Sequence, residues 1–216
     1  VSTVHHDTFR AASELGAWLE AHGVPTSTWG VGGAKGVEQL FDEVVQREST
    51  LVVGGGEAEA REGAASGAAC RCLTVVKVVV RHPSLPSQHL VCVGQTMADG
   101  RTRARVQLPS EKASAGEAVS DAVVRCVLEE MGEYAPAREA VTLLGGGGVS
   151  WEETVDSPSF PGLCTRYFLH EMEAVVPSLP LAAFVSVEGS KRHSWEWRAD
   201  APDDLRHREQ LPSGPQ

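Results

Sequence analysis

The chain has 216 residues, 42% of them hydrophobic, which suffices for one well-packed domain with an extension. Its formal net charge of −10 argues against nucleic acid or an anionic membrane surface as a partner, because both would be repelled. No apolar run reaches the roughly 18 residues that a transmembrane helix needs, so we expect a soluble protein without a membrane partner.

The first part of the chain has helical periodicity. Apolar residues recur at three- and four-residue steps within residues 8–22 and from about Ala34 to Arg47, which predicts a hairpin of two amphipathic helices. The glycine-rich connection at residues 29–36 lacks the order of a phosphate-binding loop, and a turn that caps the second helix is favoured. Two interpretations stay open for the aromatic residues of the hairpin, core packing and a docking surface for a protein partner. These residues are Trp18, Trp29 and Phe41.

The middle and last parts of the chain have strand-like patterns. Residues 54–69 consist almost only of Gly, Ala, Glu and Ser, which predicts a flexible linker. Runs of β-branched residues then predict strands, two of them joined by a hairpin at Asp99-Gly100. The predicted strands and a terminal element lie at residues 71–81, 89–94, 103–108, 141–144, 163–176 and 184–197. The polar tail, Ala201 to Gln216, is expected to be loosely ordered.

The five cysteines lie mostly in apolar or strand-like runs, which predicts reduced core thiols and an intracellular, reducing compartment. The pair Cys70 and Cys72 is a weak metal signal, and packing within a buried strand is favoured. Because the chain begins at Val1, it is either an excerpt or a form that has lost a presequence, and an organelle remains an open alternative.

The segment from Leu108 to Glu133 carries the residues that point to chemistry. Ser114 and Glu117 have the spacing of a capping box, which predicts a helix from near Ala115 to a stop at Gly132. One side of this helix is apolar. Its residues are Val119, Ala122, Val123, Val127 and Met131.

A thiol and two carboxylates are predicted on the other side of this helix. Cys126, Glu129 and Glu130 stand three and four residues apart, so their side chains should project from neighbouring sites. Adjacent carboxylates suit Mg²⁺ or Mn²⁺ better than Zn²⁺. Acidic residues are unfavourable at a helix C-terminus, where the macrodipole is negative, and this favours a metal site over a solvated acidic face.

This segment resembles the signature of the Nudix hydrolases. Glu117, seven residues and then Arg125-Cys126-Val127-Leu128-Glu129-Glu130-Met131-Gly132 follow the family spacing without a gap, and Leu108-Pro109-Ser110-Glu111-Lys112 is similar to the family's Leu-Pro-Gly-Gly-Lys loop. The resemblance implies an α/β fold, the Nudix-like α/β/α sandwich with a mixed sheet, preceded here by the helical hairpin. The implied division of the chain is a hairpin at 1–50, a linker at 54–69, a Nudix-like domain at 70–200 and a tail at 201–216.

The resemblance also implies roles for individual residues. Glu129 and Glu130 would be catalytic residues that hold Mg²⁺ or Mn²⁺. Arg125 would also be catalytic, and it either pairs with Asp121 or holds Glu117, a structural support. In the loop, Lys112 and Ser110 would bind the ligand. Two interpretations stay open for Lys112, a contact with a phosphate and a solvated side chain.

The segment departs from the family pattern in three places. Ser110 and Glu111 replace the loop glycines, so a backbone conformation that needs positive φ is strained or altered. Cys126 replaces the first metal-binding Glu, and a neutral thiol is a poor ligand for Mg²⁺. Glu133 replaces the closing apolar residue. Carboxylates elsewhere are candidates for a compensating base, and nothing in the sequence singles one out. They are Glu152, Glu153, Glu171 and Glu173.

Two functions of different classes follow. The favoured one is a non-catalytic Nudix-fold module that binds a nucleotide-like small molecule or a protein partner, because the three departures affect the metal and the loop together. The alternative is a metal-dependent pyrophosphohydrolase of a nucleoside diphosphate linked to another moiety. Trp195 and Trp197 share one strand face, where core packing is favoured over base stacking.

Overall fold

A computed structural model describes residues 2–54, 67–145 and 148–199 of the chain. The predicted tail lies outside these ranges, as does nearly all of the predicted linker. Helices and sheets both occur, which confirms the predicted α/β class. No helix within these ranges is long and apolar enough to cross a membrane.

The elements broadly follow the predicted order. They are β1 (Ser2–Val4), α1 (Ala12–Ala21), α2 (Val37–Val45), β2 (Thr50–Val53), β3 (Ala69–Arg81), β4 (Gln88–Thr96), β5 (Thr102–Gln107), β6 (Ser110–Ala113), α3 (Val119–Met131), β7 (Thr142–Leu143), β8 (Val149–Asp156), β9 (Cys164–Val175), β10 (Phe184–Glu188) and β11 (Lys191–Ala199). Both N-terminal helices are confirmed, each shorter than predicted. The predicted strands correspond to β3, β4, β5, β7 and β9, and the terminal element is the hairpin of β10 and β11. The strands β1, β2, β6 and β8 were not predicted.

Two compact units make up the described chain. The first unit comprises the described residues within Val1–Val75, Lys112–Ala118 and Ser150–Leu169, and the second unit comprises those within Val76–Glu111, Val119–Val149 and His170–Gln216. Strands β3 and β9 contribute residues to both units. Among the described strands, one sheet has the order β1-β2-β3-β9-β7, with β6 beside β3 and β8 beside β9.

The first unit contains the helical hairpin and one apolar core. β1 pairs with β2 and β2 with the start of β3, both antiparallel. Trp29, in the connection between α1 and α2, is 7% exposed, and its Nε1 donates a hydrogen bond to the Pro161 carbonyl at 2.9 Å. Its ring lies 5.1 Å from that of Phe160. The hairpin therefore packs into this core through Trp29, as one of the two interpretations proposed. The core consists of Phe9, Leu15, Leu19, Val24, Trp29, Leu40, Val44, Leu51, Ala69, Phe160 and Leu163.

The second unit contains an antiparallel sheet of order β10-β11-β4-β5. The tight β4–β5 turn contains Gly100 at φ 81°, a left-handed conformation that glycine adopts without steric cost, and this confirms the predicted hairpin. Trp195 is 1% exposed, and its Nε1 donates to Ser186 Oγ at 2.8 Å. Its ring is therefore part of the core, and base stacking is ruled out for this residue.

The core of the first unit makes a direct prediction about stability. Leu19 is fully buried, whereas Leu181 in the second unit is 56% exposed. Leu19→Ala should lower the free energy of unfolding by about 3 kcal/mol, because the transfer term and the cavity left behind add. Leu181→Ala should change it by less than about 0.5 kcal/mol. Urea unfolding followed by tryptophan fluorescence measures both values, and equal losses would contradict this assignment of the core.

Candidate functional site

The loop that precedes the central helix is extended. Ser110 is the first residue of β6, and the Pro109 carbonyl before it accepts a hydrogen bond from the Val78 amide at 2.9 Å. In the described part of the chain, Arg47 alone among non-glycine residues has positive φ. Ser110 and Glu111 therefore have an extended backbone without positive φ. Of the two predicted outcomes, strain and an altered backbone, this is the altered backbone.

The central helix begins at Val119 and not near Ala115, so the predicted start is wrong. The Glu117 carboxylate does accept a hydrogen bond from the Ser114 amide at 2.9 Å, as a capping box requires, and the Glu117 amide donates to the Ser114 carbonyl at 2.9 Å. These two bonds close a tight turn. The helix does not begin here, because Gly116 has φ 85° and a residue in the left-handed region does not continue a right-handed helix. Glu117 thus supports this turn of the first unit.

The side chains of α3 divide differently from the prediction. Cys126 and Glu130 are buried with the predicted apolar stripe, whereas Glu129 is exposed. Neighbouring helical residues point about 100° apart, and here Glu129 is turned to solvent while Glu130 is turned to the interior, where Cys126, one turn before it, is also buried. The expectation that all three project from one side was therefore wrong. The end of the helix is as predicted, with Gly132 at φ 54°.

Glu130 lies among polar groups of the second unit although it is only 7% exposed. The Ser110 amide donates to its Oε1 at 3.4 Å, and the Ser186 hydroxyl donates to its backbone carbonyl. Burial raises the pKa of Glu130 to about 8, against the opposing effect of the Ser110 hydrogen bond, and Glu188 and Glu111 raise it further. At neutral pH this carboxyl is therefore mostly protonated.

Glu129 and Arg125 form an ion pair near the solvent. Arg125 Nη1 lies 3.3 Å from Glu129 Oε2, an i,i+4 pair on α3, and the two side chains are 33% and 45% exposed. Asp121, which the sequence offered as a partner of Arg125, has its Oδ1 3.0 Å from Arg138 Nη2. Exposed pairs of this kind contribute about 0.3–0.5 kcal/mol, so their geometry is weakly held.

The segment from Leu108 to Glu133, which resembles the Nudix signature, is called the box below. Its donor set does not fit Mg²⁺ or Mn²⁺. Within the described ranges, no group of three or more His, Cys, Asp or Glu residues is placed to hold a metal ion. Cys126 is fully buried, and burial raises the pKa of its thiol well above the ordinary value, so the thiolate is disfavoured. The two remaining carboxylates differ in environment, since Glu129 is paired with an arginine and Glu130 is buried and mostly protonated.

Lys112 belongs to a charge cluster in the first unit. Its Nζ lies 2.7 Å from Glu43 Oε1 and 2.8 Å from Glu48 Oε2. The sequence left open a phosphate contact or a solvated lysine, and the structure instead shows this ammonium bound to two carboxylates. A phosphate would have to compete with both of them for Lys112.

Glu43 is the centre of this cluster and is 5% exposed. Lys35 Nζ lies 2.8 Å from its Oε1, the Ser49 hydroxyl donates to its Oε2 at 2.9 Å, and Arg71 Nη2 also binds Oε2. Burial by itself would raise the pKa of Glu43, but Arg71, Lys112 and Lys35 together lower it to about 2. The carboxylate therefore stays ionised inside the unit.

Sequence analysis missed this cluster. Glu43 lies in α2 beside the apolar stripe, and Arg71 lies between two cysteines at the start of a strand that was predicted to be almost fully buried. A charged residue within a buried segment is the one signal that could have been used, because such charges need partners. The sequence does not name the partners, since Arg71 is 28 positions from Glu43.

Three of the four candidates for a compensating base have surroundings that the structure describes. Glu173 pairs with Arg81 at 3.4 Å, and Glu153 accepts a hydrogen bond from Trp151 Nε1 at 2.8 Å. Glu171 is 7% exposed, and burial raises its pKa. Two carboxylates that were not candidates, Glu188 and Glu111, raise the pKa of Glu130. Glu188 also binds His193 Nε2 at 2.9 Å.

Comparisons with known proteins find only distant similarity to solved structures. No protein-family model matches the chain, and no curated protein matches it. Among solved structures, the Ap4A hydrolase of C. elegans is 14% identical, with 59% of this chain and 80% of that chain covered and a TM-score of 0.33. The MutT protein from Bacillus halodurans is 16% identical, with 59% and 68% covered and a TM-score of 0.35. A NUDIX hydrolase from Nitrosomonas europaea is 13% identical, with 69% and 73% covered and a TM-score of 0.31. Similarity at this level assigns no activity to the chain.

The charge cluster predicts how stability depends on acid. The pKa of Glu43 falls from 4.5 to about 2 on folding, so its contribution is complete above pH 4.5 and is lost as the pH falls towards 2. Glu43→Gln should therefore lower the free energy of unfolding at pH 7 by on the order of 3 kcal/mol, with a much smaller loss near pH 2.5.

Glu38→Gln is the matched control for Glu43→Gln, because Glu38 lies on the same helix and is exposed. Urea unfolding at the two pH values measures both variants. A loss from Glu43→Gln that does not change with pH would contradict an ionised Glu43 in the folded state.

Glu130 predicts the opposite dependence on pH. Its pKa rises from 4.5 to about 8 on folding, so the protein should lose stability as the pH rises between these values, where only the unfolded chain releases the proton. Glu130→Gln should remove this loss. The free energy of unfolding of the variant minus that of the parent should therefore be larger at pH 8.5 than at pH 4.5, by up to about 4 kcal/mol. Thermal unfolding in EDTA at several pH values measures the effect. Glu129→Gln, at the neighbouring exposed position, should leave the dependence of stability on pH unchanged.

Proposed function

We propose that this protein is a Nudix-type domain that binds a nucleotide-like ligand and does not hydrolyse it. One observation carries the proposal: Cys126, in the register of the family's first metal-binding glutamate, is a fully buried thiol one turn from the buried Glu130. A buried neutral thiol contributes nothing to a site for a hard cation. The position has become part of the apolar core of its unit.

The environments of the other box residues support the same function. Glu129 is bound to Arg125, and Lys112 is bound to Glu43 and Glu48. Each of these side chains already has a partner of opposite charge, so each would have to leave that partner to act on a substrate. The ligand class follows from the resemblance of the box to that of Nudix hydrolases, and a protein partner is the alternative ligand.

The competing function is a metal-dependent hydrolase of a nucleoside diphosphate linked to another moiety. It is favoured by the acidic surroundings of Glu130, where Glu188 and Glu111 lie close enough to raise its pKa. The retained Glu117 and Arg125 are also those of an active box.

Turnover separates these two functions. The parent protein and Glu130→Gln are each incubated with ADP-ribose, dinucleoside polyphosphates and nucleoside triphosphates at high Mg²⁺ or Mn²⁺. Phosphate release is then measured after phosphatase treatment. We expect equal, background rates for the two proteins. Metal-dependent release by the parent that is at least tenfold above that of Glu130→Gln would overturn the proposal.

Binding is tested separately from turnover. In EDTA, ADP-ribose and the dinucleoside polyphosphates are titrated by calorimetry, and saturable binding by at least one of them is expected without any metal. Absence of binding by all of them would overturn the assigned ligand class and leave a protein partner as the alternative.

A gain-of-function variant tests the role given to Cys126. Cys126→Glu adds a carboxylate beside Glu130, so it should be less stable than the parent in EDTA and should be stabilised by Mg²⁺. Cys126→Ser, which matches the thiol in size, is the control and should show no response to Mg²⁺. An equal Mg²⁺ response in the parent would contradict the loss of the metal site.

A further inference from the structure

Two cysteines of the first unit are in direct contact. Cys70 in β3 and Cys164, the first residue of β9, lie with their Sγ atoms 3.3 Å apart, and they are 3% and 9% exposed. Strands β3 and β9 are neighbours in the sheet. A disulfide has an S–S length of about 2.05 Å, so the two sulfurs need to approach by little more than about 1 Å to bond.

A third thiol packs beside this pair and is partly exposed. Cys72 follows two residues after Cys70 on the same face of β3 and is half-buried. Its hydrogen bond with Cys70 lowers the pKa of Cys72 despite burial, and Arg166 lowers it further. The pKa of Cys70 is raised, first by its hydrogen bond with Cys164. Of the three thiols, Cys72 is therefore the one suited to attack a reagent from solution.

All five cysteines lie within the described residues, and none of them forms a disulfide there. We propose that Cys70 and Cys164 are a site of reversible disulfide formation, and that Cys72 is the thiol through which this site exchanges with a small-molecule disulfide such as oxidised glutathione. The site lies outside the Nudix-like box and does not depend on the function proposed above.

The exchange is balanced in atoms and electrons. The Cys72 thiolate attacks one sulfur of the small disulfide, whose S–S bond breaks and releases one small thiolate. The Cys70 thiolate then attacks Cys72 Sγ and releases the second small thiolate. Finally, the Cys164 thiolate attacks Cys70 Sγ and releases Cys72. The protein has lost two electrons and two protons, and the small disulfide has become two thiols.

The final step has a physical cause in strand geometry. Residues two apart along a strand have Cα atoms roughly 6.6–6.8 Å apart, the upper limit for a disulfide, so a Cys70–Cys72 bond is strained. A bond between Cys70 and Cys164 joins neighbouring strands whose thiols already touch. The strained intermediate therefore passes its bond to the cross-strand pair.

The disulfide closes a long loop, because 94 positions separate the two cysteines. A cross-link over this span restricts the unfolded chain and should raise the melting temperature by about 5–10 °C. If the two cysteines serve only to pack against each other, this pair should not be oxidised. The melting temperature should then not rise.

The test is equilibration of the purified protein with oxidised glutathione, followed by thiol blocking and non-reducing tryptic mass spectrometry. Trypsin cuts after Arg71, so Cys70 and Cys72 fall in different peptides and are told apart. We expect one linked pair of peptides, carrying Cys70 and Cys164, that dithiothreitol reverses. Five free thiols at equilibrium, or a stable Cys70–Cys72 bond, would overturn the proposal.

Variants assign the roles of the thiols. Cys164→Ser should abolish the linked pair, with Cys164→Ala as a second variant should the first fail to fold by circular dichroism. Cys72→Ser should give the same linked pair at a rate at least tenfold lower, and an unchanged rate would overturn its role. Cys92→Ser, which removes a buried thiol of the second unit, is the control and should leave both rate and product unchanged.

Discussion

The first unit depends on the burial of one charge. The Glu43 carboxylate is almost inaccessible to water, and an ionised carboxylate in such a place is stable only when it is fully paired. Its partners come from separate segments: Lys35 precedes α2, Arg71 lies in β3 and Lys112 lies in β6. Removal of any one partner leaves charge uncompensated in the interior, so the three segments are held in place together. Lys112, which the sequence offered as a ligand-binding residue, therefore serves as a counter-ion inside the first unit.

The start of β3 joins this charge cluster to the thiol site. Successive residues of a strand point to opposite faces, so Arg71 points to the side of Glu43, while Cys70 and Cys72 point to the other. A bond from Cys70 to Cys164 would therefore fix the same stretch of strand that carries Arg71. The remaining cysteines, Cys92 and Cys126, lie in the second unit, where burial raises the pKa of both thiols. The five cysteines thus differ in chemistry although the sequence presents them alike.

Much of the fold could be predicted from local sequence patterns. The side chains that meet at each site could not. Periodicity of 3.6 identified α1 and α2, and runs of valine identified β3, because these signals lie within one segment. The start of α3 was misplaced because the spacing of Ser114 and Glu117 also fits a tight turn, and Gly116 decides between the two. β6 is short and polar, so no apolar pattern marks it. Glu130 was assigned to an outer face because it is charged, whereas packing in the second unit buries it.

The central claim is that the box of α3 has lost its site for a hard cation. Titration of the protein with Mn²⁺, followed by the electron paramagnetic resonance signal of free Mn²⁺, measures this most directly, because it requires no substrate. The account predicts that the parent and Glu130→Gln bind Mn²⁺ equally and weakly, without saturation below millimolar concentration. Saturable binding by the parent at micromolar Mn²⁺ that Glu130→Gln abolishes would contradict it.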